Sequence, residues 1–455
     1  MKIAMVVRND LEFDARVQKE ALALQRAGHE VRVFALAGNR YNPGINLVSD
    51  QLVHHVEDVP SFRTSKLVSR SLMVLLSPLI LIILALYRTP AIIRIVLRRA
   101  RTQIKTRLRR ARTQIKTRLK KTDKRATAYL NARLAPIRRF HFGKAAADHV
   151  IKWAPDVVHM HDLETAFAGL RAKRKTNAHL VYDSHELWLE RNEPNRSRIS
   201  RKLIRAWERH LEQRILRESS GIITVSPGIL EDLASRHPNA ADKGSIVRNI
   251  PIVDEPIGPI ASLLKADDET RVIAYSGRIT TGRHLELLIH ASEELTFPHR
   301  LCLLGYGSDA YVSALVDQAA ANGVRLEIVD PVHNTAVSPS LTLATVVFVG
   351  VNNVARSYEL SLPNKFFEAL LSGRPVVAPR LPEMMRFGND LPGIYWYEPH
   401  VDSLRSALSR AESDDSLPSV VIEERQARVC WDSEARQLVE LYEKLSEINR
   451  ALPQL

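Results

Sequence analysis

The sequence predicts an α/β protein with two doubly wound parallel-sheet domains, and three observations indicate this fold class. Apolar runs at Lys2–Val7 and Val31–Leu36 flank a helical pattern at Asp14–Ala27, which is the opening unit of a parallel sheet. The alternation of strand and helix resumes near residue 157 and begins again near residue 271. With 455 residues, 45% of them hydrophobic, the chain can bury two separate cores.

The rest of the first domain, residues 1–250, continues the alternation. Its further strands are expected at Val157–His159, Leu180–Tyr182 and Ile222–Val225, with helices near Glu164–Arg174 and Arg198–Glu218. Because a helix follows each strand, the strands can run parallel in one sheet.

A second domain is predicted over residues 251–428. The stretch 251–270 is rich in proline and acidic residues and reads as the linker that opens it. Its strands are expected near Arg271–Tyr275, Arg300–Leu304, Arg325–Val329, Thr345–Val349 and Pro375–Ala378. A last segment, residues 429–455, carries a helical pattern around Ser433–Leu445.

The stretch LPNKFFEALLSGRPVVAP, which begins at Leu362, predicts a short helix followed by a buried strand. Pro363 suits the helix entry and Gly373 a left-handed C-cap. The free N–H groups of the first turn can hold a diphosphate, and Glu368 can accept hydrogen bonds from a ribose diol. The pattern therefore indicates a nucleotide-sugar site. An ordinary helix–strand unit with a solvated glutamate remains the alternative.

Further motifs accompany this stretch in a fixed order. They are KIAMVVRND from the residue after Met1, DVVHMHD from Asp156, LVYDSHELW from Leu180, GIITVSPGI from Gly221, IVRNIP from Ile246, YSGRI from Tyr275, LLGYG from Leu303 and CWDSEARQLVELYEKL from Cys430. In this order and spacing the chain resembles the family 4 glycosyltransferases, which have the GT-B fold, nearly from end to end.

The resemblance implies two Rossmann-like domains facing each other across a cleft, and a final helix that crosses back to the first domain. It implies a retaining, nucleotide-sugar-dependent enzyme that binds the donor in the second domain and the acceptor in the first. No cofactor and no obligatory metal are implied. No Cys/His cluster has the spacing of metal ligands, and the two cysteines, Cys302 and Cys430, suggest a reducing compartment.

The same resemblance assigns cations to the donor diphosphate. Arg278 follows the first strand of the second domain, where a guanidinium can bind a diphosphate through two hydrogen bonds. The family usually has a lysine followed by glycine five residues later, whereas this chain has Arg283 followed by His284. Each arginine is also readable as a surface residue.

Other donor contacts are expected from the backbone and from one lysine. Gly277, Gly305, Gly307, Leu362, Asn364 and Lys365 make up this set. Plain turns and a solvated lysine are the alternatives. The family also has a first glutamate at the position of Leu360, with Glu359 one residue away, so the usual contact to the sugar hydroxyls is in doubt. The backbone around Leu360–Leu362 is a candidate substitute.

In the first domain, His161 follows a predicted strand and resembles the family's cleft histidine, which contacts the transferred sugar. A packed histidine beside a helix-capping Asp162 is the alternative. His185 and Glu186 form a second polar pair at a strand end, and a buried structural pair explains them equally well. Asp14 and Arg16 in the first loop could meet acceptor or donor, but Asp14 is also a plausible N-cap.

Residues 62–121 are predicted to form a helical insert that associates with membrane. Residues 59–122 hold no Asp or Glu and 17 Lys and Arg, which exceeds the net charge of +14 of the whole chain. An apolar run at Ser71–Tyr87, interrupted by Pro78, precedes two identical 11-residue repeats at Arg98–Leu108 and Arg109–Leu119. The repeats place a thin apolar stripe on a basic helix, a pattern that favours an anionic membrane surface.

A solvated basic helix and a nucleic-acid patch are the alternatives for the insert; no further nucleic-acid motif accompanies it. The sequence therefore predicts a peripheral or monotopic enzyme on the cytoplasmic face of the membrane, engaged in polysaccharide or cell-envelope synthesis. Its acceptor is expected to be lipid-linked or a polysaccharide. The alternatives are a membrane-tethered, non-catalytic GT-B scaffold and a GT-B sugar-nucleotide epimerase.

Overall fold

The computed structural model describes residues 1–37, 41–48, 51–56, 138–191, 198–253, 264–266, 269–414 and 417–451. The predicted insert at 62–121 lies outside these residues, as does most of the linker. The chain divides into two compact units. One comprises Met1–Glu57, Phe142–Glu193 and Arg201–Leu455 and contains both sheets, and the other comprises Asp58–His141 and Pro194–Ser200. No helix in the described part of the chain combines the length and apolarity needed to cross a bilayer.

The first sheet has eight strands in the order β3-β4-β2-β1-β5-β6-β7-β8. All neighbours are parallel except β3 and β4, which form an antiparallel hairpin at one edge. The strands are β1 (Lys2–Val6), β2 (Glu30–Leu36), β3 (Gly44–Val48), β4 (Gln51–Val56), β5 (Val157–His161), β6 (His179–Ser184), β7 (Gly221–Thr224) and β8 (Gly244–Ile246).

Helices cover both faces of this sheet, as apolar central strands require. Asp14 caps the first of them by accepting a hydrogen bond from the Val17 N–H at 3.2 Å. The helices are α1 (Ala15–Arg26), α2 (138–153), α3 (Ala166–Thr176), α4 (Arg198–Glu218), α5 (Pro227–Arg236) and α6 (Asn239–Asp242).

The second sheet has six parallel strands in the order β11-β10-β9-β12-β13-β14. They are β9 (Arg271–Ser276), β10 (His299–Leu304), β11 (Leu326–Val329), β12 (Val346–Phe348), β13 (Val376–Pro379) and β14 (Ile394–Tyr397). The order reverses at β9, and the carboxyl ends of the strands at such a switch point form the ligand crevice of doubly wound sheets. The prediction of two parallel-sheet α/β domains is confirmed.

The helices around the second sheet include the one that the PNKFFEALL stretch predicts. They are α7 (Leu285–Ser292), α8 (Asp309–Ala321), α9 (Val337–Leu341), α10 (Arg356–Glu359), α11 (Asn364–Leu371), α12 (Pro382–Gly388), α13 (Val401–Ser413), α14 (Ser419–Arg428) and α15 (Trp431–Ala451). In α11, the buried Phe366, Phe367 and Leu370 face the core, while Asn364 is exposed and Lys365 and Glu368 are half-buried.

The last helix, α15, follows the second sheet in the chain but packs against α1 and β8 of the first. Its Tyr442 hydroxyl is 2.8 Å from His159 Nδ1, and its Glu434 accepts hydrogen bonds from the backbone and side chain of Arg248 at 2.7 and 3.0 Å. The lysine of α1, Lys19, lies over the Trp431 ring at 4.3 Å. The chain therefore returns to the domain in which it began.

A second set of contacts joins the two sheet domains on the side of α5. Arg356 pairs with Asp232 at 2.8 Å, and Arg386 pairs with Glu231 at 2.7 Å. The Ser226 hydroxyl donates to the carbonyl oxygen of Leu360. These contacts bring the loop before α11 against the first domain, so the carboxyl edges of the two sheets share one cleft.

Candidate functional site

Glu368 lies at the carboxyl edge of the second sheet, where its carboxylate meets the end of β9. The Ser276 hydroxyl donates a hydrogen bond to Glu368 Oε2 at 3.1 Å. Burial raises the pKa of Glu368, while the charge of Lys365 and the Ser276 hydrogen bond oppose this shift. The carboxylate is thus positioned by a strand end and has an oxygen left to accept from a ligand.

Lys365, one turn earlier in α11, brings a cation to the same place. Its Nζ is 3.1 Å from the Tyr275 hydroxyl and lies over the Tyr275 ring at 4.8 Å. Burial lowers the pKa of Lys365 to about 7, with a further contribution from the nearby charge of Arg283, while Glu368 opposes the shift. A polyanion beside Lys365 and Arg283 would relieve the repulsion between the two cations.

Three glycines let the loops after β9 and β10 pack backbone on backbone. Gly277 has φ +117°, a conformation that L side chains rarely adopt. A Cβ on Gly305 would lie 1.9 Å from the Gly277 carbonyl oxygen, and one on Gly307 would lie 2.4 Å from the Ile279 carbonyl oxygen. Any side chain at Gly305 or Gly307 would push the two loops apart, so these glycines shape the crevice.

The two predicted arginines occupy different environments. Arg278 is exposed, and its carbonyl oxygen accepts a hydrogen bond from Tyr275 at 2.9 Å. Arg283 is half-buried. A Cβ on Gly350 would lie 1.8 Å from the Arg283 carbonyl oxygen. Its neighbour His284 has a φ of +52°, in the left-handed region. The family usually has glycine at this position, and glycine adopts this φ without strain.

The residues just before α11 contact the first domain. Leu362 is buried, and Leu360 stands where the family has its first glutamate. Because the Leu360 carbonyl oxygen is bound by Ser226, that backbone is a domain contact as well as a candidate sugar contact.

His161 ends β5 at the carboxyl edge of the first sheet and is buried. Its Nδ1 is 3.2 Å from both Asp183 Oδ2 and His185 Nε2. His185 bridges Asp183 Oδ2 at 2.9 Å and Asp162 Oδ2 at 3.3 Å, and these two carboxylates raise its pKa well above the usual value despite burial. The structure therefore joins His161 and Asp162 through His185, whereas Glu186 pairs with Arg191 at 3.1 Å.

Sequence reasoning missed Glu20 and His159, which extend this network into the core. Arg16 donates to both oxygens of Asp183 at 2.9 and 3.0 Å, and it pairs with Glu20 at 3.0 Å. Burial raises the pKa of Glu20 to about 7 and lowers that of His159 well below its usual value. The spacing of four residues between Arg16 and Glu20 on α1 was the one available signal.

A cavity of about 680 Å³ opens between the two edges. The loop before α1 contributes Asp10, Phe13 and Asp14 to its lining, and the second domain contributes Asn364 and Glu368. This volume is typical of a small-molecule site, and both domains reach it.

Comparisons with known proteins point to one enzyme family. A family model described as "Glycosyl transferase 4-like domain" matches residues 14–249, more than half of the chain. An uncharacterized glycosyltransferase of Methanocaldococcus jannaschii is 26% identical over 314 residues, which are 64% of this chain and 76% of that protein.

Solved structures share the whole fold at low identity. A sucrose-phosphate synthase from Thermosynechococcus elongatus superposes with a TM-score of 0.68 at 16% identity, covering 98% of this chain and all of that one. The Anabaena protein HepE in complex with UDP superposes with a TM-score of 0.58 at 13% identity, covering 99% of this chain and all of that one.

Proposed function

The chain belongs to the glycosyltransferases with a glycosyl transferase 4-like domain, and from this membership we propose that it uses a nucleoside diphosphate sugar as donor. The acceptor is a hydroxyl of a lipid-linked glycan or polysaccharide at the cytoplasmic face of the membrane, and transfer retains the anomeric configuration. The observation that carries the donor proposal is the meeting of Glu368, Lys365 and Ser276 at the switch point of the second sheet. The UDP bound by HepE supports the same donor class.

Each donor group has a residue that suits it. Glu368 accepts hydrogen bonds from the ribose hydroxyls, since its second oxygen is not used by Ser276. Lys365, Arg283 and the N–H groups at the start of α11 hold the diphosphate, and Arg278 closes over it from the exposed side. Gly277, Gly305 and Gly307 keep side chains out of the crevice, so backbone can approach the nucleotide.

The reaction is a front-face substitution at the anomeric carbon. The bond to the diphosphate oxygen breaks as the acceptor oxygen forms its bond on the same face, and the departing diphosphate takes the acceptor proton. Arg278, Arg283 and Lys365 stabilise the negative charge that grows on the leaving group, so no metal ion is required for this step. His161, oriented by Asp183, contacts the transferred sugar from the first domain.

The first experiment is a thermal-stability screen of the full-length protein with nucleoside diphosphates and their sugars. A true donor at 100 times its Kd should add about 2.7 kcal/mol to the free energy of unfolding. NMR of the product's anomeric signal then reports retention. Stabilisation by no nucleotide sugar would contradict the proposal.

Donor affinity should fall as pH rises above 7. The diphosphate binds the ammonium form of Lys365, whose pKa in the free protein is lowered to about 7. Above that pH, binding must take up a proton, so Kd should rise by up to about tenfold per pH unit. Calorimetry with nucleoside diphosphate between pH 7 and 9 measures this. Lys365→Arg, which stays charged, should flatten the profile, and a flat profile in the unchanged protein would contradict the prediction.

His161→Ala should lower kcat more than donor affinity. The imidazole is proposed to contact the sugar chiefly in the transition state, so its loss should leave the Kd of the donor nearly unchanged. Steady-state kinetics and calorimetry separate the two quantities. His290→Ala, which removes an exposed histidine on α7, is the matched control. An unchanged kcat in His161→Ala would show that His161 only packs.

A further inference from the structure

Four side chains from three separate segments converge beneath the cleft in the first domain. Glu20 comes from α1, His159 and His161 from β5, and Asp183 from β6. Each offers one ligand atom, all four atoms lie within 4.8 Å of one another, and every side chain is buried. The set is two imidazoles and two carboxylates, which is a donor set that Zn²⁺ accepts.

The distances between the four ligand atoms would suit a four-coordinate ion if the side chains moved slightly closer together. His159 Nε2 is 3.9 Å from both Glu20 Oε2 and Asp183 Oδ2. His161 Nδ1 is 4.0 Å from Glu20 Oε2 and 3.2 Å from Asp183 Oδ2. Tetrahedral zinc with bonds of about 2.1 Å places its ligands about 3.4 Å apart. Rotamer adjustments of about half an ångström would therefore close the site.

Two of these side chains present ligand atoms that the described residues leave unsatisfied. Glu20 Oε2 and His159 Nε2 are buried and have no hydrogen-bond partner in the described part of the chain. Buried polar groups are nearly always hydrogen-bonded, so such atoms indicate that an ion or a water belongs between them. Both atoms belong to the four-atom set and lie 3.9 Å apart.

The other atoms of these side chains are already held in the way that metal ligands usually are. His159 Nδ1 is 2.8 Å from the Tyr442 hydroxyl, which fixes the ring with Nε2 towards the set. Arg16 forms ion pairs with the far oxygens, Glu20 Oε1 at 3.0 Å and Asp183 Oδ1 at 2.9 Å, although Glu20 Oε1 also has no hydrogen-bond partner among the described residues. The inner oxygens thus remain directed at the centre.

Of the four proposed ligand atoms, Asp183 Oδ2 already makes several polar contacts. It already contacts Arg16 Nε at 3.0 Å, His185 Nε2 at 2.9 Å and His161 Nδ1 at 3.2 Å. On metal binding, His161 Nδ1 and Asp183 Oδ2 exchange their mutual hydrogen bond for bonds to the ion. The Nδ1 proton of His161 leaves to solvent, while His161 Nε2 stays buried, without a hydrogen-bond partner among the described residues.

We propose that Glu20, His159, His161 and Asp183 form a zinc site, separate from the donor crevice. The ion would tie α1, β5 and β6 together, and through Tyr442 it would anchor α15 to the first domain. The ion itself would have a structural role, although its ligand His161 is also the proposed sugar contact. Zinc binding is measured without donor or acceptor, so this proposal can be tested independently of the donor assignment.

The test uses full-length protein freed of metal by chelator and dialysis. Titration with Zn²⁺ should show one ion per chain by calorimetry and by elemental analysis, and Co²⁺ should give the visible bands of a tetrahedral centre. Glu20→Gln and His159→Gln should each weaken Zn²⁺ binding at least tenfold. Tyr442→Phe, which removes one hydroxyl and leaves the ligands intact, should weaken it by about ten- to a hundredfold.

His290→Gln is the matched control, since this exposed histidine on α7 contacts Gln318 and Asn322 away from the set. It should bind Zn²⁺ as the unchanged protein does. Circular dichroism and thermal unfolding confirm that each variant folds. Absence of stoichiometric Zn²⁺ binding, or equal binding in Tyr442→Phe, His159→Gln and His290→Gln, would overturn the proposal and leave a buried water as the occupant.

Discussion

Glu368→Ala is expected to weaken donor binding roughly ten- to a hundredfold and to abolish most transfer. The carboxylate is proposed to accept charge-assisted hydrogen bonds from the ribose, and the loss of such a contact costs about 1.5–3 kcal/mol. The fold should survive, because among the described residues the side chain's one hydrogen bond is to Ser276, and its helix is held by Phe366, Phe367 and Leu370. Calorimetry with nucleoside diphosphate measures the change.

Two further variants make this result specific. Glu368→Gln keeps the size of the side chain and loses its charge, so its donor affinity should lie between those of the unchanged protein and Glu368→Ala. Glu398→Ala removes another acidic residue of the second domain, one that is paired with Arg380 at 3.7 Å, and should bind the donor normally. Unchanged affinity in Glu368→Ala would refute the ribose contact, and equal losses in Glu398→Ala would point to a general charge effect.

The sequence predicted most of the fold because apolar periodicity reports which residues are buried. Lys2–Val7 and Asp14–Ala27 lie within one residue of the observed β1 and α1 at each end. The hairpin of β3 and β4 was missed, since its strands are short and polar residues such as Asn46 interrupt the apolar run that marks a central strand. The turn of 3₁₀ helix at Leu163–Thr165, before α3, was read as part of that helix.

The donor site was more predictable than the network beneath the cleft, for a physical reason. Lys365 and Glu368 sit on one helix, so a helical period alone places both side chains at the start of α11. Glu20 and Asp183 are brought together by the pairing order of the first sheet, in which β5 lies between β1, the strand that precedes α1, and β6. No local spacing encodes that contact, and each residue alone reads as an ordinary polar side chain.

Removing residues 62–121 is expected to release the protein from membranes while the two sheet domains stay folded. The segment carries all 17 Lys and Arg of the acid-free stretch 59–122, together with the apolar run Ser71–Tyr87. Each basic residue near an anionic surface contributes about 1 kcal/mol, and the apolar residues of the repeats are expected to add a hydrophobic contribution. The segment lies within the unit that contains neither sheet, so its removal spares both cores.

Liposome flotation separates the two contributions to binding. Full-length protein should float with anionic vesicles, and deletion of residues 98–119 alone should leave the salt-resistant share that comes from Ser71–Tyr87. The share contributed by the repeats should fall as salt rises, because it is electrostatic. Equal binding to neutral and anionic vesicles would rule out the charge contribution. Tight sequence-independent binding to duplex DNA with no vesicle binding would assign the basic repeats to nucleic acid instead. Nucleoside-diphosphate binding by the deletion variant would show that the variant is folded and that it has lost only membrane binding.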